Sequence, residues 1–153
     1  MDTLLTLFEN LTSQLNQLTA LAKRKTNAVR KNDLLELDKI LKEEQALSLA
    51  LRGLEQKRIT LLQKLDLQGV ALTDVPTKVP AELQPRAKAA VEALRREYTV
   101  YHSAAEVARH TLECNLHEVE KFLAAVGAVN EPGVGYNNGN VEVPAKMKSD
   151  FRA

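Results

Sequence analysis

The chain has little of most residues that announce chemistry. One cysteine in 153 residues excludes an internal disulfide and fits a reducing compartment. Tryptophan is absent and aromatics amount to 4%, so Leu and Ala dominate the apolar set, a bias that favours helices. The six glycines and five prolines lie almost entirely outside the helical stretches, Gly53 being the main exception. Neither charge sign is in excess: 21 Lys and Arg face 20 Asp and Glu, so no net field draws the chain to nucleic acid or an anionic membrane. No apolar run approaches the roughly 20 residues of a membrane span. The start, Met1-Asp2-Thr3-Leu4-Leu5, puts an acid where a signal peptide wants a basic region. The expected location is the cytoplasm. No nucleophile, base and oxyanion set is present, and the glycines at 127, 133, 135 and 139 follow no strand, so they make no phosphate loop. Neither an enzyme nor a cofactor is expected.

What is there is heptad periodicity. From Asp2 to Asn32, Leu4, Phe8, Leu11, Leu15, Leu18, Ala22, Lys25 and Val29 alternate steps of four and three. Leu5, Leu7 and Leu21 broaden this stripe enough to meet more than one partner helix. A second helix is expected from Asp33, with Asp33 and Glu36 at capping-box spacing and Gly69 as its stop after Gln68. Its seam reads Leu37, Ile40, Glu44, Leu47, Leu51, Leu54, Arg58, Leu61 and Leu65. The basic end of the first helix and the acidic start of the second each suit their helix dipole at a tight antiparallel turn.

Residues 73–85 carry Pro76, Pro80 and Pro85 and read as a linker. A third helix then starts between Ala81 and Pro85 and ends at Gly127. Its seam runs from Ala87, Val91, Leu94, Tyr98, Tyr101, Ala105 and Ala108 to Leu112, Leu116, Val119, Leu123 and Val126. The step from Leu112 to Leu116 is a stutter that relaxes the supercoil. The fold class is therefore all-α: an elongated antiparallel bundle of three long helices over 1–127, with a flexible C-terminal tail over 128–153.

Some polar residues fall on these stripes. Lys25, Glu44 and Arg58 occupy seam positions, where a buried charge must be paired. In a hairpin turning near residue 32, Lys25 comes within reach of Glu44, and Arg58 can take Glu55 or an acid from the third helix. Their expected role is to specify register. Tyr98 and Tyr101 lie in the seam and are expected in the core. His110, Cys114 and His117 share one helix face and are ligand types for zinc, but no fourth ligand is evident and a polar outer face accounts for them. No metal is expected.

The tail is the odd part. In Gly133-Val134-Gly135-Tyr136-Asn137-Asn138-Gly139-Asn140, Asn138-Gly139 is a strong turn signal with alternating apolar residues on either side. An isolated hairpin is marginal in water, and a turn-rich polar segment of this kind suits ordering on binding. Tyr136 and Phe151 are its aromatic contacts. Val119, Phe122, Leu123 and Val126 form an apolar strip just before it.

The order of these pieces resembles the FlgN family of flagellar export chaperones. The residues that carry it are the early Leu-rich helix, then Asn32 to Arg58 with Glu43-Glu44, Leu47, Leu54-Glu55 and Arg58, and the closing Tyr136-Asn137-Asn138-Gly139. The resemblance spans nearly the whole chain. It implies a long helical bundle with room for a fourth short helical element, supplied by the linker or the tail. It also implies a cytoplasmic chaperone that binds hook-associated proteins at the hook-filament junction, of the FlgK and FlgL type, and delivers them to the export gate. Client binding maps to the end of the third helix and the tail: Leu112, Leu116, Val119, Phe122, Leu123, Val126, Tyr136 and Phe151. A homodimer is compatible with the pattern. Nucleic acid and membrane insertion are not expected. From periodicity alone, a generic coiled-coil adaptor or structural bundle protein fits as well.

Overall fold

A computed structural model of the chain describes residues 1–127. Among the described residues there are helices and no strand. Three helices are long: α1 (Asp2–Arg30), α2 (Leu34–Lys64) and α4 (Gln84–Ala125). Between α2 and α4 lie a 3₁₀ turn (Leu72–Asp74), the single-turn helix α3 (Val75–Lys78) and a second 3₁₀ turn (Ala81–Leu83). The chain divides into two compact units, Met1–Leu116 and His117–Ala153.

In the first unit α1 is the central element. All its seam positions except Lys25 are buried, and so are Leu5, Leu7 and Leu21 on the flank of the stripe. That breadth lets α1 serve two neighbours at once. Helix α2 returns antiparallel to it. Helix α4 runs parallel to α1: Arg86 reaches Asp2 and Glu9, Asn16 donates to Glu97 at 3.4 Å, and Asn115 donates to Asn32 at 3.3 Å. Successive long helices therefore alternate in direction.

The α1–α2 turn is closed by backbone chemistry. Asn32 takes a left-handed φ of 54°, the Asn32 N–H donates to Val29 O, and the Asp33 N–H donates to Ala28 O at 2.9 Å. These two bonds satisfy carbonyls left open at the end of a helix. Asp33 then caps α2 by accepting from the Glu36 N–H at 3.0 Å. The reciprocal half of the capping box does not form, because the Asp33 N–H is already used and the Glu36 carboxylate takes Arg24 instead.

The second helix ends earlier than its glycine suggests. It stops at Lys64 rather than at Gln68. Asp66, at φ 55°, takes the left-handed position, and the Leu67 N–H donates back to Leu62 O at 2.9 Å. This closure turns Leu67 inward to 6% exposure, and the gain from burying it explains why the chain leaves the helix there. Gly69, at φ 73°, serves the following turn.

The linker supplies the fourth helical element. Val75 and Val79 are 1% and 4% exposed and join Leu4, Leu5, Phe8, Ala87 and Val91 in the main core. Pro76 sits in the first turn of α3, where its missing N–H costs nothing. This core occupies the end of the unit where α1 begins and α2 ends. A smaller cluster of Leu21, Ala28 and Ile40, flanked by Leu37 and Leu47, lies nearer the α1–α2 turn.

Tyr98 departs from its expected place in the core: it is 47% exposed, its ring 6.4 Å from that of His102. At this level the covered side of α4 passes through Glu97, whose side chain is 17% exposed and accepts from Asn16, and through half-buried Tyr101. Tyr98 lies one position to the outside.

Candidate functional site

The end of α4 is set by its sequence. From Leu116 onward every described residue is exposed. Gly127, at φ 71°, stops the helix, with the Val126 N–H bonded to Phe122 O and the Gly127 N–H to Ala124 O. Nothing breaks the helix before that point, because residues 86–126 contain no Gly or Pro.

In the second unit this segment presents Val119, Phe122, Leu123 and Val126, at 47%, 68%, 44% and 62% exposure. At about 100° per residue the four fall within an arc of roughly 100°. Glu118 and Glu120 border the arc, and His117 and Lys121 lie on the other side. Large apolar side chains on one narrow face, with charged or small ones around it, are the pattern by which amphipathic helices meet in grooves. In the first unit, Leu112 is half-buried and Leu116 is 59% exposed. Tyr136 and Phe151 lie outside the described residues.

His110, Cys114 and His117 are all exposed. The Cys114 sulfur lies 3.6 Å from His110 Nε2, a weak polar contact along one face of the helix. Among the described residues, no group of three His, Cys, Asp or Glu is placed to hold a metal ion.

The seam charges sit elsewhere in the first unit. Lys25 Nζ lies 2.5 Å from Glu44 Oε2, with the two side chains 13% and 28% exposed. Beside them Arg24 bridges Glu36 at 2.6 Å and Glu43 at 2.8 Å, and the hydrogen bonds it donates to Glu43 first and Glu36 second raise its guanidinium pKa above the ordinary value. Arg58 Nε is 2.9 Å from Glu55 Oε2, one turn back on the same helix. These contacts join helices or stiffen one; none involves a residue of the apolar strip.

Two features escape a periodicity reading. Arg86 reaches across from α4 to α1, where it donates to Asp2, Thr6 and Glu9 at 2.9–3.3 Å. Val75 and Val79 are core residues inside a proline-rich segment. Their spacing of four, on either side of a proline that a first helical turn accepts, is the one sequence signal for them.

Comparison with known proteins supplies what geometry leaves open. The family model described as FlgN protein matches residues 1–140. The chain belongs to the FlgN family. FlgN-family proteins are flagellar export chaperones, a non-enzymatic class that binds flagellar hook-associated proteins. The match covers all four helices and reaches into the tail. No curated protein and no solved structure matched the chain. Among the described residues, no helix is long and apolar enough to cross a membrane.

Proposed function

We propose that this chain is the cytoplasmic chaperone of a hook-filament junction protein of the FlgK or FlgL type, and that it delivers that client to the flagellar export gate. Client recognition rests on Val119, Phe122, Leu123 and Val126. The observation that carries this reading is their exposure on one face of a helix, in a chain whose family binds hook-associated proteins. An amphipathic terminal helix of the client lies along this strip, and the tail, through Tyr136 and Phe151, closes over it. Interface energy usually concentrates in a few such anchors. Coupled ordering of a binding segment lowers net affinity, which suits a chaperone that must release its cargo.

Titration calorimetry with a terminal fragment of a junction protein tests this. Removing residues 128–153 weakens binding at least roughly tenfold, about 1.4 kcal/mol, and leaves melting nearly unchanged. Phe122→Ala weakens it as well. Full affinity in both variants would move the client to the first unit and leave the strip without a role.

A further inference from the structure

The groove between α1 and α2 in the first unit has features that the client strip does not use. Its floor is Leu7, 5% exposed, with half-buried Leu54 and Leu61. Gly53 lines it from the middle of α2. Glycine is the poorest helix-interior residue after proline, so its presence there needs a reason. The fold provides none: a Cβ built on Gly53 meets nothing within 4 Å, and its φ is not positive. What glycine does here is leave the α2 backbone bare along an open groove, so that another backbone can approach closely. The α2 seam points the same way. Of its apolar positions only Ile40 is buried, while Leu51, Leu54 and Leu61 stay partly open.

The walls define the partner's charge. Lys57 and Lys64 stand on the α2 side, both exposed, and among the described residues neither pairs with a carboxylate. They are seven residues apart, about 10.5 Å along the helix. On the α1 side the one acid, Asp2, is already held by Arg86 at 3.0 Å. The groove thus offers two free ammonium groups two turns apart, an apolar floor, and no free anion to repel a carboxylate.

We infer that this groove docks an acidic amphipathic helix from a second protein, packed against Leu54 and Leu61 over Gly53, with carboxylates seven residues apart facing Lys57 and Lys64. This face belongs to the first unit and shares no residue with the client strip, so one partner does not take the other's contacts.

The probe is a synthetic amphipathic helix of about 20 residues carrying leucines at helical spacing and two glutamates seven apart, compared with its lysine counterpart by fluorescence anisotropy on the full chain. The glutamate peptide binds and the lysine peptide does not. Gly53→Leu weakens the glutamate peptide at least about tenfold while the melting temperature does not fall, since the new side chain meets open space. The double variant Lys57→Glu, Lys64→Glu reverses the preference, and this swap decides the matter should Gly53→Leu fail to fold. Equal binding of both peptides, or indifference of the glutamate peptide to Gly53→Leu, overturns the inference. So does sedimentation showing a dimer that Gly53→Leu dissociates, which would assign the groove to a second copy. Tighter peptide binding after removal of residues 128–153 would assign the groove to the chain's own tail and overturns the inference as well. A junction-protein fragment that binds Gly53→Leu as well as the parent chain keeps the client reading separate from this one.

Discussion

Leu94 and Leu123 are the same side chain on the same helical stripe of α4, yet one is 8% exposed and the other 44%. Near Leu94, α4 has α1 beside it, tied by Arg86 and Asn16, and the linker valines complete the core. From Leu116 onward all described positions are open. Heptad spacing reports which face of a helix is apolar. It does not report whether that face is covered by the chain itself or kept for another molecule. In this molecule the covered part builds the fold and the open part carries the proposed recognition.

The largest test of this contrast is stability. Leu94→Ala removes buried methyl groups and is expected to cost about 2–5 kcal/mol, as is Leu15→Ala at 5% exposure on α1. Leu123→Ala, on an exposed face, is expected to stay within about 0.5 kcal/mol. Half-buried Leu54 falls between. Thermal or urea melts of the four variants check the order. If Leu94→Ala and Leu123→Ala prove equally mild, the core around Leu94 is not what holds the unit together.

The same contrast explains what was legible in the sequence. Three long helices, the turn at Asn32–Asp33 and the stop at Gly127 all follow from local signals: apolar spacing, a capping acid, a glycine just past the last apolar position. Proximity of Lys25 to Glu44 follows from counting residues back from the turn. Tyr98 did not follow, because a one-position difference in which side of α4 is covered depends on where α1 lies. The end of α2 did not follow either. Gly69 is the obvious stop, but burying Leu67 favours an earlier one at Asp66. The linker's contribution was hidden because prolines mark interruption and say nothing about whether the valines between them find a core. As for the site, its apolar residues are visible as a stripe, and their exposure is a property only of the packed chain.

A second test concerns the covered charges. Lys25 and Glu44 lie near the smaller, less complete cluster, and their side chains are mostly buried. A double-mutant cycle with leucine at each position is expected to give a coupling of roughly 1 kcal/mol. Either single substitution should destabilise more than the double one, because it leaves one charge desolvated and unpaired. Coupling near zero would mean that both groups reach solvent, and that this end of the unit is as open as the end of α4.

The turn that sets this register gives a comparable effect by a different route. Asn32→Ala places a Cβ-bearing side chain without asparagine's local hydrogen bonding in the left-handed region and is expected to cost about 1 kcal/mol. Asn32→Gly is expected to be neutral, since glycine adopts that φ freely. Chemical denaturation separates the two. Equal losses would show that the side chain matters for its contact with Asn115 rather than for the backbone.

The smallest expected effect reads a half-covered position of α4, between buried Leu94 and buried Ala108. Tyr101 is half-buried against the main core, and its phenol is pushed above the ordinary value, by burial first and then by the nearby charge of Glu44. A raised phenol pKa means that the fold prefers the neutral ring. Its contribution is complete below the unfolded value, about 10, and is lost as pH rises through the folded one. Stability should therefore fall more steeply above about pH 10 in the parent chain than in Tyr101→Phe, which keeps the ring and removes the proton. Below that pH the two curves should run parallel. Melting temperatures of both proteins across this window measure the difference directly. Identical alkaline losses would mean that Tyr101 ionises as freely folded as unfolded, and that the cover over this one ring is thin although Ala108, about two turns further on, is buried.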